Sequence, residues 1–332
     1  MVYGVALAHE RFRPDELLQQ AQVAEEAGFD IVCCSDHLAP WWPDGQPAPA
    51  NSGNAWVWLG AVAHATNEPS IGTAVTGLIH RYNPVVVAQQ IATLEILAPG
   101  RAFIGVGSSE AMNEVPAGLD PDHYPSVGEQ IERMEEAATI IRRLLEGETV
   151  SFSGKYFKTH SAKLYSLPER RPPIYMSAFG EQAAEVAGRI ADGVWTLADP
   201  RQAPGVIAGY RRGAERAGRE PGEVILQGVF SWAEDDDTAL ESSREWKATL
   251  PPEHYTDPIY DPAQIQKNGQ EVSDMTFKAM AAVSSDPADH VRRVKMIREM
   301  GATAVVMMNT SGADPEGALR MYGENVLPEV RR

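Results

Sequence analysis

Residues 28–42 read "GFDIVCCSDHLAPWW", and this stretch decides the fold. Its apolar run, residues 31–34, is short and begins with two β-branched side chains, which is typical of a buried strand. A buried strand should end in a turn, but this one ends in a carboxylate and an imidazole, Asp36 and His37, followed by two adjacent indoles. The polar strand end predicts that chemistry is performed at the edge of a sheet.

Strand and helix patterns alternate along the whole chain on both sides of this stretch. Eight apolar runs predict strands, and a helical pattern follows each of them. The strands are predicted at residues 2–8, 31–34, 70–78, 101–107, 171–178, 192–197, 223–235 and 303–309. Eight such units in 332 residues are typical of a (β/α)8 TIM barrel, an α/β fold. We therefore expect one barrel domain over residues 1–332.

Several segments exceed what a minimal barrel needs. Residues 38–54, 108–126 and 250–280 predict insertions at the C-terminal face of the barrel, and residues 149–166 predict a small hairpin. The helix of the seventh unit is predicted near residues 238–250. Long insertions in a compact domain are usually functional loops, so we expect the first three to surround the site.

Composition excludes several classes of function. The net charge of -17 argues against a nucleic-acid ligand and against an anionic membrane surface, because both select basic patches. The N-terminus lacks a signal-peptide pattern, and no window is apolar enough for a membrane span, so we expect a cytoplasmic protein. The two cysteines, Cys33 and Cys34, are neighbours that point to opposite faces of a strand, so we expect buried thiols without a disulfide.

Active sites of such barrels lie where the strands end. His37 follows the second strand, and an imidazole titrates near neutral pH, so it is a candidate for proton transfer. Glu110 follows the fourth strand after the small residues 107–109, which allow a planar ligand to approach the backbone. Thr196 lies near the end of the sixth strand.

Other site chemistries lack their motifs. The sequence has no HExxH or paired-cysteine metal site, no GxSxG elbow and no P-loop, so we expect no metal. The segment "GVGSSEAMNE" has too few glycines for a dinucleotide fingerprint. One imidazole, one carboxylate, two indoles and a floor of small residues remain, which suits an aromatic cofactor and a hydride step coupled to proton transfer.

Five segments, "SDHLAPW", "GTAVTGLIHRYNPVVVAQQIATL", "LAPGRAFIGVGSSEAMNE", "LYSLPERRPPIYMSAFG" and "NVLPEVRR", carry a family resemblance. Together they resemble the luciferase-like barrel superfamily, and within it the coenzyme F420-dependent branch with the glucose-6-phosphate dehydrogenase family. The resemblance implies that the barrel mouth binds the deazaflavin F420 and that a hydride moves to or from its C5. It also implies a small-molecule substrate and a homodimer.

The resemblance assigns roles to particular residues. His37 matches the catalytic base of the family. Glu110 matches the carboxylate that protonates the deazaflavin at N1 or stabilises its charge there. Trp41 matches an indole that packs over the reacting centre. The segment Ala74–Val75 matches a non-proline cis peptide beside the cofactor. Further cofactor contacts are implied at Asp36, Gly107, Ser108, Ser109, Asn113, Ser177, Ala178, Phe179 and Gly180. We add Trp42, the extra indole, and Thr196 as candidate substrate contacts.

The chain departs from the sugar-phosphate dehydrogenases where they hold the phosphate. Asp199 stands where a lysine is expected, Met280 stands where an arginine is expected, and Lys267 is the one candidate match for a remaining lysine. Charge-assisted bonds contribute about 1.5–3 kcal/mol each, so we expect glucose 6-phosphate to be a poor substrate. A more hydrophobic alcohol, or a carbonyl or activated double bond in the reverse direction, fits better.

Two other functions stay open at the level of sequence. One is an FMN-dependent monooxygenase of the same superfamily, and the other is a non-catalytic protein that only binds F420. Quaternary structure is also open, because the helices "AWVWLGAVAHA" and "NPVVVAQQIATLEIL" have little polar face. Neighbouring helices or a second copy of the chain must cover them.

Overall fold

Parallel strands close into a barrel in the computed structural model, which describes residues 1–45 and 48–332. Within those residues the strands are β1 (Val2–Leu7), β2 (Ile31–Cys34), β3 (Ser70–Gly77), β4 (Ala102–Gly107), β5 (Val150–Ser153), β6 (Lys158–Ala162), β7 (Ile174–Ser177), β8 (Gly193–Leu197), β9 (Glu223–Ser231), β10 (Ala281–Val283) and β11 (Ala304–Asn309). The barrel order is β1-β2-β3-β4-β7-β8-β9-β11, and β11 pairs with β1 to close it. The predicted TIM barrel is confirmed.

Helices surround the barrel and fill its insertions. They are α1 (Pro14–Glu26), α2 (Ala55–Ala65), α3 (Pro84–Leu97), α4 (Ala111–Glu114), α5 (Val127–Leu145), α6 (Glu181–Ile190), α7 (Ala203–Arg216), α8 (Asp236–Glu241), α9 (Pro262–Gln270), α10 (Asp274–Met280), α11 (Pro287–Glu299), α12 (Pro315–Met321) and α13 (Leu327–Arg331). Short 3-10 turns cover Pro121–His123, Arg244–Thr249 and Pro252–Tyr255. Local signals set the helix starts: Ser126 and Glu129 form a capping box on α5. Every helix in the described part of the chain is too short or too polar to cross a lipid bilayer.

The core has two layers, as the alternation of strand side chains requires. Inside the barrel lies a cluster made of Ala6, Ile31, Cys33, Phe103, Trp195, Ile225, Ala304 and Val306. A larger apolar layer lies between the strands and the outer helices, and Cys34 belongs to it. The adjacent cysteines therefore face different layers, and both are free thiols.

The seventh unit differs from the prediction. The structure has only α8 and a 3-10 turn within residues 236–249, and the helix that packs on β9 and β11 is α11. The α11 segment was missed because it is strongly polar and buries only His290, Val294 and Ile297. The insertion after β9 consequently spans residues 232–286, beyond the predicted 250–280, and we call it the late insertion. Its last part, β10, extends the sheet beside the end of β9.

The hairpin predicted within residues 149–166 is confirmed, because β5 and β6 pair antiparallel. The other predicted insertions, at 38–54 and 108–126, follow β2 and β4 at the C-terminal ends of those strands. Within the first of them, residues 46 and 47 lie outside the described part of the chain. The loops after β2 and β4 and the late insertion thus surround one face of the barrel.

Candidate active site

Two adjoining cavities open at the C-terminal face of the barrel. The inner cavity lies over the strand ends and reaches His37 and Glu110, and the outer cavity lies beside the start of α6. The two share the lining residues Ser177, Phe179, Leu197, Thr249, Leu250, Tyr255 and Met280.

His37 faces two carboxylates across the inner cavity. Its Nδ1 lies 3.2 Å from Oε1 of Glu10, and its Nε2 lies 3.8 Å from Oε2 of Glu110. The contact with Glu10 is too poorly aligned for a hydrogen bond, and Nδ1 has no other partner among the described residues. Three strand ends, those of β1, β2 and β4, thus bring one imidazole and two carboxyl groups together.

Burial sets the charge state of this group. It lowers the pKa of His37 far below 6.5, and it raises the pKa of both Glu10 and Glu110 to about 7. Ser35 and Trp41 face Glu10 and partly oppose its shift, whereas Glu114 adds to that of Glu110. Near neutral pH the imidazole is therefore uncharged, and each carboxyl group can gain or lose a proton.

The charge on Glu10 selects the tautomer of the imidazole. An ionised Glu10 favours a proton on Nδ1 of His37, which leaves the lone pair of Nε2 on the side of Glu110. A protonated Glu10 favours the opposite tautomer. The charge on Glu10 thus influences which ring nitrogen of His37 carries the proton.

Asn113 holds Glu110 in place from behind. Its Nδ2 donates to Oε2 of Glu110 at 2.9 Å, and its Oδ1 accepts from the backbone N–H of Leu38 at 2.8 Å. The residue is fully buried and does not line either cavity. The implied role of Asn113 as a cofactor contact is therefore corrected: its amide links Glu110 to the loop that follows His37.

The two tryptophans occupy different environments. The Trp41 ring lines the inner cavity with its centroid 5.3 Å from that of His37. Trp42 has no exposed surface, packs edge-on against Trp246 at 5.0 Å, and donates its indole N–H to the carbonyl of Pro49. The expectation that Trp42 contacts the substrate is wrong, because its ring belongs to a satellite core beneath the late insertion.

Asp36 lines the inner cavity but is bonded away from His37. Its carboxylate accepts from Thr76 Oγ1 at 2.8 Å, Tyr82 Oη at 3.1 Å and Arg81 Nη2 at 3.2 Å. Burial raises its pKa, and Arg81 is the largest opposing influence. Asp36 thus fixes the end of β2 against the segment that follows β3.

The wall of the inner cavity opposite this loop is a bulge in β3. The peptide bond between Ala74 and Val75 is cis, as the resemblance implies, and the β3–β4 register shifts at this point. Both residues line the cavity. A Cβ on Gly107 would lie 2.5 Å from Val75 Cγ2, so Gly107 makes room for the bulge and does not itself line the cavity.

The remaining predicted residues divide between the cavities. Ser109, with a φ of 64°, and Thr196 line the inner one. Ser108, Ala178 and Gly180 line the outer one, and Ser177 and Phe179 line both. Helix α6 begins beside the outer cavity without a side-chain cap, so its first amides are available to an anionic group.

Among the residues of the inner cavity that sequence reasoning missed are Glu10, Trp246 and Tyr255. Glu10 follows β1 in "ALAHE", and examining the end of the first strand as closely as the others would have found it. Trp246 and Tyr255 lie in the late insertion, where the pattern carries no sign of which side chains face inward.

The lining of both cavities is free of positive charge in the described part of the chain. No lysine or arginine lines either cavity, whereas Met280 lines both and Asp199 lines the outer one. Lys267, the candidate match for a remaining lysine, lines neither. An anionic substrate would find no cation here.

Known proteins match this chain over nearly its whole length. The family model described as "Luciferase-like monooxygenase" matches residues 2–304. A relative from Microbacterium testaceum, named F420-dependent glucose-6-phosphate dehydrogenase, is 38% identical over 99% of this chain and 97% of its own. One from Mycobacterium tuberculosis, named F420-dependent hydroxymycolic acid dehydrogenase, is 37% identical over 99% of this chain and 88% of its own.

A solved structure is also similar over the full length. It is described as an F420-dependent secondary alcohol dehydrogenase in complex with an F420-acetone adduct. It has a TM-score of 0.93 and 34% identity, and the match covers 100% of this chain and 99% of that one. The relatives thus share a fold and a named cofactor but differ in the substrates their names state.

Proposed function

We propose, since the chain belongs to the luciferase-like monooxygenase family and to the F420-dependent enzymes within it, that it transfers a hydride between an uncharged alcohol and C5 of the deazaflavin. The observation that carries this proposal is the composition of the inner cavity. An imidazole and two titratable carboxyl groups face a space that has no cation among its described lining residues. In the reverse direction the substrate is a carbonyl compound or an activated double bond.

The inner cavity fits the ring of the cofactor. Buried polar atoms at its edge, Ser35 Oγ and Glu10 Oε2, have no hydrogen-bond partner among the described residues and are available to a bound molecule. Ala74 and Val75 would support one face of the ring, with Ser109 at its edge. The rest of the coenzyme would lie in the outer cavity against Ser108, Ser177, Ala178, Phe179 and Gly180.

The bound coenzyme supplies the carbon that accepts the hydride, and His37 supplies the base. As the hydride leaves the alcohol carbon, Nε2 of the neutral imidazole takes the hydroxyl proton, and the alcohol becomes a carbonyl compound. Ionised Glu10 stabilises the imidazolium that results, at 3.2 Å from Nδ1. The indole of Trp41 excludes water on the same side.

Glu110 holds the second proton of the reaction. With a pKa raised to about 7, it is a carboxylic acid in part of the population at neutral pH. With the coenzyme bound, Glu110 would hold a proton beside the ring, and that proton would balance the charge that the ring gains. Asn113 keeps Oε2 of Glu110 on the side of the cavity.

The lining supports an uncharged substrate and argues against glucose 6-phosphate. A phosphate dianion would enter a cavity with Glu10, Asp36 and Glu110 in its wall and no arginine or lysine to bond it. Met280 stands where a guanidinium would be needed. The name of the structural neighbour, a secondary alcohol dehydrogenase, favours the same substrate class.

The alternatives have less support. The monooxygenases among the solved structures, for example one from Streptomyces bottropensis at 18% identity, share the fold alone. A protein that merely stores the cofactor would not need a buried imidazole between two carboxyl groups. The monooxygenase alternative predicts binding of FMN in place of F420. The storage alternative predicts binding of F420 without turnover.

We also propose that the chain forms a homodimer through α2 and α3. Four apolar side chains on these helices, Val57, Val86, Ile96 and Leu97, are exposed by 44 to 76%. Nearby, the indole N–H of Trp56 is buried without a partner among the described residues. A chain with a net charge of -17 repels its copies least through a face of this kind, which has few charged side chains.

A substrate screen tests the function. Alcohols are mixed with F420, and ketones and enones with reduced F420, and the change in F420 absorbance is followed. Turnover of uncharged alcohols with little turnover of glucose 6-phosphate is expected. Binding of FMN with no binding of F420 would contradict the cofactor assignment, and F420 binding without turnover of any substrate would favour the storage role.

A further inference from the structure

The wall between the two cavities is built around one ring, that of Tyr255. Its centroid lies 5.7 Å from that of Trp41 and 5.5 Å from that of Phe179. Trp41 belongs to the loop after β2 and Phe179 to the loop after β7, so the ring from the late insertion spans the barrel mouth between them. Tyr255 lines both cavities together with Leu250.

The Tyr255 ring is fixed in its position. Its hydroxyl donates to the backbone carbonyl of Thr249 at 2.8 Å, which closes a loop of six residues within the late insertion. Next to it, the buried ring of His254 lies within hydrogen-bond distance of the carbonyl of Ala248 and of the amide of Asn268, at 2.8 and 2.9 Å. A side chain held at both its backbone and its tip cannot easily move aside for a larger ligand.

The late insertion is itself anchored to the barrel close to the site. Glu245 forms a buried ion pair with Arg11 at 3.3 Å. Arg11 is the residue that directly follows Glu10 in the sequence. The next residue, Trp246, packs on Trp42 of the loop after β2. These contacts make the wall above His37 a preformed surface of the cavity.

We propose that Tyr255 determines the size of the alcohol, and that the substrate is a compact secondary alcohol or the corresponding ketone. This inference rests on the proposed function and extends it to a specificity-determining residue. The carbon bonded to the hydroxyl must lie beside Nε2 of His37, so its substituents point toward Trp41, Trp246 and Tyr255. Trp41 and Trp246 are buried to 96% or more, and Tyr255 closes the remaining direction.

A size series tests the inference with the complete enzyme and F420. The substrates are 2-propanol, 2-butanol, 2-octanol and 4-phenyl-2-butanol, and kcat/KM is measured for each. Since a poorly fitting methylene or larger group changes discrimination by about 10- to 200-fold, the native enzyme is expected to prefer the two smaller alcohols by at least about tenfold. Tyr255→Ala should raise the ratio of kcat/KM for 4-phenyl-2-butanol to kcat/KM for 2-propanol by about tenfold or more.

Matched variants separate size from folding. Tyr255→Phe keeps the ring and loses the bond to Thr249, so the size limit should weaken less than it does in Tyr255→Ala. Tyr260→Ala removes an exposed tyrosine of the same insertion that lines neither cavity, and it should leave the series unchanged. If Tyr255→Ala does not fold, as judged by thermal unfolding, Tyr255→Leu takes its place.

Three results would overturn the inference. A native enzyme that uses 4-phenyl-2-butanol as well as 2-butanol has no size limit at Tyr255. An equal loss for all four alcohols together with weaker F420 binding would make Tyr255 a cofactor contact. Absence of turnover for every alcohol and ketone while F420 binds would reject the proposed function as well, and this result is distinct from the other two.

Discussion

Glu10 Oε1 lies 3.2 Å from His37 Nδ1, and the two residues follow the neighbouring strands β1 and β2. The sequence does not reveal that the two residues are close, because 27 positions separate them. The fold brings them together since adjacent parallel strands end at the same edge of the barrel. The pair connects the protonation of a buried carboxyl group to the basicity of the nitrogen that faces the cavity.

Alcohol oxidation should therefore depend on pH on both sides of neutrality. Burial raises the pKa of Glu10 and of Glu110 to about 7. Ionised Glu10, present above that value, favours the reactive tautomer, so activity rises as pH increases toward 7. Protonated Glu110, present below it, balances the charge on the cofactor, so activity falls above 7. We expect a narrow bell-shaped dependence of kcat on pH. The two apparent pKa values of that profile belong to Glu10 and Glu110 as a coupled pair.

Two variants test which carboxyl group causes the loss of activity on each side of that pH profile. Glu10→Gln should remove the loss of activity on the acidic side, and Glu110→Gln should remove the loss on the alkaline side. A profile for the native enzyme that is flat from about pH 5.5 to 8.5 would contradict both assignments, because groups with a pKa of about 7 titrate within that range.

Removal of either proton-transfer group should lower kcat with little effect on cofactor binding. His37→Ala and Glu110→Gln are each expected to reduce kcat by about 10²- to 10⁴-fold, the usual contribution of general acid–base catalysis. F420 affinity, measured by fluorescence titration, should change far less. His80→Ala is the control, because His80 follows β3 but is exposed and lines neither cavity. Weaker binding with unchanged kcat would make the two groups simple contacts.

Introduced cations should create activity toward a sugar phosphate. Asp199→Lys combined with Met280→Arg places two positive charges in the cavity wall, and each bond to a phosphate is worth about 1.5–3 kcal/mol. We expect kcat/KM for glucose 6-phosphate to rise at least about tenfold. Glu148→Lys with Glu215→Lys adds positive charge at exposed sites outside the cavities and serves as the control. An equal rise in the control would attribute the gain to net charge.

Gly107→Ala should disturb the wall that supports the cofactor. Its new Cβ would lie 2.5 Å from Val75 Cγ2, so the bulge in β3 must shift. Overpacking of this kind typically costs about 1–3 kcal/mol of folding free energy. We expect a lower denaturant midpoint and weaker F420 binding. Gly128→Ala in α5, where a Cβ meets nothing within 4 Å, should keep both properties. Native-like F420 binding in Gly107→Ala would show that the bulge in β3 does not support the cofactor.

Charges on the exposed face of α2 and α3 should prevent association. Val57→Glu with Leu97→Glu buries two like charges per copy in the proposed interface, so we expect a monomer by light scattering during size-exclusion chromatography. Met275→Glu changes an exposed apolar residue of α10 and should leave the mass unchanged. A monomeric native protein would reject the dimer outright.

The fold could be predicted from the sequence because the barrel repeats one simple pattern. β2 was placed to the residue, since "IVCC" lies between a helix-ending glycine and polar residues. The helix α11 could not be placed in the same way. Its buried face is only three residues, so the apolar period is weak, and the segment near 238–250 carries a stronger pattern without belonging to the barrel wall.

The site was predictable to the extent that it lies on strand ends. His37 and Glu110 follow strands, Ser177 is the last residue of one, and all three line the inner cavity. The two tryptophans are adjacent in sequence, and nothing in "PWWP" indicates that one ring enters the cavity while the other packs on Trp246. Residues from the late insertion could not be assigned either, because their side-chain directions depend on long-range packing.

The amide of Asn113 has a consequence for redesign. One side chain carries the bond that orients Glu110 and the bond that holds Leu38, three residues before Trp41. An engineer who reshapes the loop after β2 to admit a new alcohol will therefore also misplace a proton donor. New specificity is better sought from the late insertion, whose residues take no part in the hydrogen bonds of Asn113.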